Sequence, residues 1–97
     1  MEIEKTHIVR SLAGRDKNRV FLVLDTDGDY LLLADGRLRR VETPKRKKRK
    51  HVRFLSVLET PLKEKLDSGE KVFNSEIRKA LSAFAGELAD GDTSIGR

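Results

Sequence analysis

The sequence has no cysteine, only two prolines and only five aromatic residues in 97. Without cysteine the chain cannot form a disulfide framework or a zinc–thiolate site, which fits a reducing compartment. The longest apolar run, Val20 to Leu24, is far shorter than the roughly 18 residues of a membrane span. The first residues also lack the basic-then-apolar order of a secretory signal. We therefore expect a soluble, cytoplasmic protein.

Positive charge is abundant, and it is unevenly placed. The formal net charge is +5, but residues 1–53 carry 15 Lys/Arg against 8 Asp/Glu, whereas residues 54–97 carry 6 against 8. Ten of the cations fall between Arg37 and Arg53, where Glu42 is the single acid. Such a local concentration of positive charge is typical of proteins that bind phosphate backbones.

The first half of the chain has the pattern of short antiparallel strands. Strands are predicted at residues 7–12, 19–24, 30–34, 37–41 and 51–55, and the second of these segments is rich in β-branched and aromatic residues. The Asp27-Gly28 and Asp35-Gly36 steps predict tight hairpin turns. Four or five such strands predict a small barrel or curled sheet, in which Arg37 and Arg39 share one strand face opposite Leu38.

The second half changes character. We predict that residues 1–55 form the β domain, residues 56–73 a linker with a short helix near 61–66, residues 74–89 an amphipathic helix capped by Asn74, and residues 90–97 a disordered tail. An apolar stripe at helical spacing is expected to pack on the sheet or to receive a partner protein. Its residues are Ile77, Leu81, Phe84 and Leu88.

Six consecutive cations follow Pro44, from Lys45 to Lys50. Because adjacent like charges repel, we expect this segment to be extended or mobile until a polyanion neutralises it. A solvated loop without function and a nuclear import signal are alternative interpretations.

The first half also resembles the KOW family, small SH3-like barrel modules of ribosomal proteins and transcription elongation factors. The resemblance covers residues 7–55 and rests on the stretch from Val9 to Val23, with its Gly-Arg-Asp-Lys sequence, on Asp35 to Arg40 and on Pro44 to His51. It is greatest for bacterial KOW-domain RNA-binding proteins related to large-subunit ribosomal proteins of the archaeal and eukaryotic type. Asn18 stands where the family has a glycine, and asparagine tolerates a left-handed turn better than most residues.

The resemblance implies a mainly β, KOW-type SH3-like barrel of four or five antiparallel strands with a C-terminal helix. It further implies binding of ribosomal or other structured RNA through loops and a strand surface. Because the sequence has no cysteine nucleophile, and no Ser/His/Asp set or phosphate-cradling glycine loop stands out, we also expect no enzymatic activity and no cofactor. The matching candidate RNA-binding residues are Arg15, Lys17, Arg19, Arg37, Arg39, Arg40, Lys45, Arg46, Lys47, Lys48, Arg49, Lys50 and His51.

The aromatic residues favour structured RNA over single strands. A single-strand binder of the stacking type needs two or three exposed rings. Phe21 and Phe84 are predicted to be core residues, and Tyr30 and Phe54 lie in apolar strands. We therefore expect phosphate contacts and RNA shape to dominate binding.

Two further classes of function share features with the sequence. An apolar strand ending in Asp25-Thr-Asp27-Gly resembles the nucleophile motif of haloacid-dehalogenase-type phosphatases, but the chain is too short for the parallel sheet of that chemistry. The same aspartates do not predict an EF-hand loop, because Gly28 falls at the wrong place in it and Gly36 occupies the position of the bidentate glutamate. A KOW-type protein-interaction module of the translation or transcription machinery is the main alternative to RNA binding. We predict no catalytic or metal site.

Overall fold

The computed structural model describes residues 2–96, with side chains described for residues 2–86. A single 3-10 turn at Arg49–His51 joins the last two strands. No described helix is long and apolar enough to cross a membrane. The elements in chain order are β1 (His7–Ser11), β2 (Val20–Asp27), β3 (Tyr30–Ala34), β4 (Lys45–Lys48), β5 (Val52–Val57), α1 (Pro61–Ser68) and α2 (Asn74–Gly96).

The predicted mainly β domain with a C-terminal helix is confirmed. All strand pairs are antiparallel, in the order β4-β3-β2-β1-β5. The first hairpin forms where the Asp27-Gly28 step predicts it, since Asp27 pairs with Tyr30 across the turn. The antiparallel hairpin also places Asp25 and Asp27 outside the parallel-sheet setting of the phosphatase motif.

The predicted strand at residues 37–41 is wrong. The fourth strand is Lys45–Lys48, which pairs with β3 from Leu33↔Lys45 to Tyr30↔Lys48. The basic run was expected to be extended or mobile; its first four residues are extended, and they are hydrogen-bonded into the sheet. Residues 37–41 form a loop instead, because the carbonyl of Arg39 accepts hydrogen bonds from the amides of Asp35 and Gly36 and so closes the chain on itself.

One face of the sheet carries an inner core. Its side chains are almost completely buried, and Ile3 is the one partly buried apolar residue outside the strands, among the described residues, that packs on this cluster. The sheet itself is open, with β4 and β5 at its two edges. Irregular register at Ile8/Val9 and Val23/Asp25 provides local bends. The inner residues are Val9, Phe21, Val23, Leu31, Leu33 and Val52.

The opposite face of the sheet forms a second core with the two helices. Strand alternation turns Ile8 and Leu22 to this side, where Leu62 of α1 and Ile77 and Ala80 of α2 cover them. In the predicted apolar stripe, Ile77 is fully buried, and Leu81 and Phe84 are partly buried against the same core. The side chain of Leu88 lies outside the described residues.

The helices follow local signals. The hydroxyl oxygen of Thr60 accepts a hydrogen bond from the Leu62 amide at 3.3 Å, Pro61 occupies the first turn of α1, and Gly69 ends it in a left-handed conformation. The predicted short helix within residues 56–73 is thus present. Helix α2 extends to Gly96, beyond the predicted end at residue 89 and into the segment 90–97 that was expected to be disordered; no proline interrupts it.

Candidate nucleic-acid interface

Asp35 organises the loop that carries the arginines at positions 37 and 39. Its Oδ1 accepts hydrogen bonds from the backbone amides of Arg37 and Arg39, both at 2.9 Å. The carboxylate is 8 % exposed, and its Oδ2 accepts a further contact from Arg19 Nη2 at 3.4 Å. Aspartate often caps turns in this way, and here it fixes a short loop, residues 35–40, with its arginine side chains exposed.

The other side of this loop packs against the start of helix α2. Gly36 has φ +77°, and a Cβ there would lie 2.4 Å from the carbonyl oxygen of Asn74 and 2.9 Å from Cγ of Arg78. Arg78 Nη1 donates to the Gly36 carbonyl at 2.7 Å. Only glycine combines this backbone angle with such close approach, so the loop and the start of α2 are packed as one unit.

Asn74 also joins the helix to the chain beyond the loop. Its Oδ1 accepts a hydrogen bond from the Val41 amide at 2.8 Å, and its Nδ2 donates to Glu42 Oε1 at 2.8 Å. The latter bond lowers the pKa of Glu42. Asn74 was predicted to cap its own helix. Its side chain instead forms hydrogen bonds with residues 41 and 42, and so connects α2 to the chain that follows the loop.

A buried ion pair between Asp16 of the loop at residues 12–19 and Lys47 of β4 holds this loop in place. Lys47 Nζ lies 2.7 Å from Asp16 Oδ1 and donates to the Ala13 carbonyl at 2.6 Å. Ser11 Oγ donates to the same Asp16 oxygen at 2.7 Å, and Lys45 Nζ lies 3.7 Å from its Oδ2. The β4 strand and the first loop are therefore tied together by one carboxylate.

The pKa of Asp16 reflects this arrangement. Burial raises it, but the hydrogen bonds from Lys47 and Ser11 and the charges of Lys47 and Lys45 lower it by more, so that the pKa falls from its ordinary 3.8 to about 2. Because the side chain is only 12 % exposed, solvent screens the pair weakly. Asp16 is thus ionised at neutral pH.

The predicted left-handed turn at Asn18 is present. Its φ is +74°, and its amide donates to the Ser11 carbonyl at 2.8 Å. Asn18 therefore adopts a left-handed conformation, which asparagine tolerates better than most residues, and the loop closes onto β1.

Two clefts share Arg19 and bring the loops together. One is lined by Arg15, Arg39 and Lys45 with Asp16 and Leu38, the other by Arg37 and Arg78 with Asp35 and Leu81. Lys17 belongs to the same loop as Arg15 and is exposed. We call this surface the basic face; it consists of Arg15, Lys17, Arg19, Arg37, Arg39, Lys45 and Arg78.

Several predicted RNA-binding residues are engaged by the protein itself. Lys47 is 8 % exposed and lies beneath the surface with Asp16, contrary to the expectation that all six cations of the run contact RNA. Arg49 donates to the carbonyls of Gly28 and Ile3 and so joins the 3-10 turn to the first hairpin and the N-terminal segment. Arg49 also lies 3.9 Å from Glu2. Four other predicted residues form ion pairs: Arg19–Asp35, Arg40–Glu42, Lys45–Asp16 and Arg46–Asp27.

Six predicted cations are exposed and form no ion pair with the side chains of residues 2–86. Four of them lie in the two loops of the basic face: Arg15, Lys17, Arg37 and Arg39. The other two, Lys48 and Lys50, line a separate cleft with Tyr30 and Asp29 beside the first hairpin. His51 is half-buried, and its carbonyl accepts from the Leu12 amide at 2.8 Å.

Most of the aromatic side chains are buried or packed against other residues, so they expose little ring surface to a ligand. Phe21 is buried, Phe54 packs edge-on against His7 with ring centroids 5.1 Å apart, and the Arg46 guanidinium lies 4.0 Å from the ring centroid of Tyr30. Phe73 is 51 % exposed, with Lys71 Nζ 5.1 Å from its ring centroid. The basic face instead presents Leu38, 68 % exposed at the tip of the 35–40 loop.

Sequence reasoning missed Arg78. It follows Ile77 in a helix treated only as an apolar stripe, yet it contacts Gly36 and lines the cleft with Arg37. The available signal was its position one turn after Asn74, on the helix end nearest the loop. Within residues 2–86 there is no group of three His, Cys, Asp or Glu side chains placed to hold a metal ion.

Comparison with known proteins identifies no family: no protein-family model matches the chain, and no curated protein is similar to it.

Proposed function

We propose that this protein is cytoplasmic and binds structured RNA, with ribosomal RNA as the expected target, through its basic face. The observation that carries the proposal is the cleft in which Arg15 of the first loop, Arg39 of the second loop and Lys45 of β4 meet. The three residues come from distant parts of the sequence. Such convergence of cations is the electrostatic signature of a phosphate-binding surface, and it accords with the resemblance to KOW proteins.

The arginine loop is ordered before RNA arrives. Asp35 fixes its backbone from one side, and Gly36 and Arg78 hold it against α2 on the other. The first loop is held by Asp16 and Lys47. Because little backbone entropy is lost on binding, more of the phosphate attraction appears as affinity.

The internal ion pairs reduce the number of cations available for phosphate. Arg19 and Lys45 already face Asp35 and Asp16, which leaves Arg15, Lys17, Arg37 and Arg39 as the freely exposed cations of the face. Four phosphate contacts give a log–log salt slope of about −3 to −4. Six phosphate contacts would give a steeper slope of about −4 to −5.5.

Structured RNA suits this face better than a single strand. A stacking platform needs adjacent exposed rings, and Phe73 is the one aromatic side chain of the described residues that is mostly exposed. Fixed loops with separated arginines match the fixed phosphate spacing of a folded RNA. Leu38, between Arg37 and Arg39, adds an apolar contact for a sugar or an unpaired base.

The alternative, a protein-interaction module, has less support. Ile77, the first residue of the helix stripe, is fully buried in the protein's own core, and Leu81 and Phe84 pack against it. Among the described stripe residues, a partner protein would therefore reach only the outer parts of these two side chains.

Fluorescence anisotropy with a labelled hairpin RNA tests the proposal. The wild type is titrated at several salt concentrations beside Arg37→Gln/Arg39→Gln and a control, Lys63→Gln/Lys79→Gln, which removes the same charge from the helices. We expect the arginine variant to bind more weakly, with a salt slope smaller by about 2, and the control to bind like the wild type. Equal losses in both variants would indicate attraction by net charge alone and contradict a defined face. A wild-type slope near zero would contradict phosphate contacts.

A further inference from the structure

Two arginines that lie outside the predicted set face each other across the sheet. Arg10 of β1 pairs directly with Arg53 of β5, and Arg10 also pairs with Val20 of β2. Directly opposed residues of an antiparallel pair have Cα atoms roughly 4.5–5.5 Å apart and point to the same face. Val20 packs against the helix-side core, so both guanidinium groups lie on the helix side of the sheet.

These arginines lack a negative partner among the described side chains. Neither takes part in the ion pairs found within residues 2–86. Nε of Arg10 is shielded from solvent and has no hydrogen-bond acceptor there. Like charges directly opposite each other destabilise a sheet. An external anion bound by Arg10 and Arg53 would therefore stabilise this part of the sheet.

The pair adjoins the basic face. Val20, the cross-strand neighbour of Arg10, lines the cleft that contains Arg37 and Arg78. A row of residues therefore runs from that cleft across β2 and β1 to Arg53 at the edge of the sheet. An RNA backbone lying over Arg37 can continue along this row.

The geometry points to a second phosphate site at Arg10 and Arg53, which binds the backbone of the same RNA. This inference rests on the proposed function and extends it from the loops to the helix side of the sheet. Two guanidinium groups suit a phosphodiester, since each planar fork can donate to one of its non-bridging oxygens. The site is independent of the 35–40 loop, because its residues belong to β1 and β5.

The test uses the same hairpin RNA with full-length Arg10→Gln/Arg53→Gln, Arg37→Gln/Arg39→Gln and the Lys63→Gln/Lys79→Gln control. We expect the Arg10/Arg53 variant to bind more weakly and, because the two arginines share one phosphate, to reduce the salt slope by about 1, while the control matches the wild type. An unchanged slope in the Arg10/Arg53 variant, with a reduced slope in the Arg37/Arg39 variant, overturns the second site and leaves the proposed function intact. Absence of RNA binding by the wild type overturns both.

Thermal unfolding tests whether the two arginines are unpaired within the protein. Binding of a second polyanion, polyglutamate, tests which ligand they recognise. Without RNA, we expect Arg53→Gln to unfold at the same or a higher temperature than the wild type, because one of two opposed like charges is removed. A clearly lower temperature would show that Arg53 is already paired within the protein and would overturn the site. If Arg10→Gln/Arg53→Gln loses binding to polyglutamate but keeps its RNA affinity, the pair recognises acidic protein segments, which also overturns it.

Discussion

The ammonium group of Lys47 lies 2.7 Å from Asp16 Oδ1, and both residues are buried. This ion pair joins β4, in the middle of the most basic segment, to the first loop of the basic face. In the proposed RNA binding, Lys47 therefore acts through the position of its neighbours, whereas Lys48, next in sequence, is exposed.

Replacement of Lys47 by methionine tests that structural role. It leaves the Asp16 carboxylate buried without its main partner, and loss of one member of a buried pair costs about 3–5 kcal/mol of unfolding free energy. Urea denaturation measures the change. Lys48→Met, an exposed neighbour, is the matched control and should change stability by no more than about 0.5 kcal/mol. Equal effects at the two positions would contradict the buried pair.

Acid should weaken the fold through Asp16. The folded-state pKa of about 2 lies below the ordinary 3.8, so ionised Asp16 stabilises the protein above about pH 4, and this contribution is lost as the pH falls through 3.8 towards 2. The full shift corresponds to about 2 kcal/mol. Urea denaturation of the wild type and Asp16→Asn from about pH 5 downwards should show their stability difference shrinking below pH 4. A difference that stays constant with pH would refute the assignment.

Gly36 and Gly28 offer a matched pair of substitutions. Both have positive φ, but a Cβ at Gly36 meets Asn74 and Arg78, whereas a Cβ at Gly28 meets nothing within 4 Å. Gly28→Ala should cost only the backbone term of about 1–2 kcal/mol. Gly36→Ala should cost about 1–3 kcal/mol more by forcing the loop off the helix, and it should also weaken RNA binding. Similar unfolding free energies for both variants would contradict tight docking of the loop on α2.

Leu38 provides a test of apolar contact at the loop tip. Because it is 68 % exposed, Leu38→Ser should leave the unfolding free energy nearly unchanged. We expect weaker binding of hairpin RNA with the same salt slope, since no phosphate contact is removed. Unchanged affinity would show that the loop tip stays away from the RNA.

Local signals sufficed for most of the fold. Short apolar runs and the Asp27-Gly28 turn predict β1, β2, β3 and β5, and the tolerance of asparagine for positive φ agrees with the turn at Asn18. Such signals fail between Asp35 and Lys48. A run such as Lys45–Lys48 has no intrinsic strand preference, and its conformation comes from pairing with β3 and from burial of Lys47 against Asp16, 31 residues away in sequence.

The candidate site was predictable in composition but not in arrangement. The charge density of the sequence identifies the cations of the site. Which of these cations are exposed, and which form ion pairs within the protein, depends on tertiary partners such as Asp16 and Asp35. The same applies to Arg78, Arg10 and Arg53, whose neighbours are created by helix docking and strand pairing. Sequence spacing carries no information on these contacts.

Amide chemical-shift mapping with hairpin RNA tests the central claim most directly. If the loops form one RNA-binding surface, the backbone amides of residues 14–19 and 35–40 should shift together at the same RNA concentrations, while those of α1 remain in place. Shifts confined to α1 and the outer side of α2, or shifts in only one of the two loops, would contradict a shared basic face.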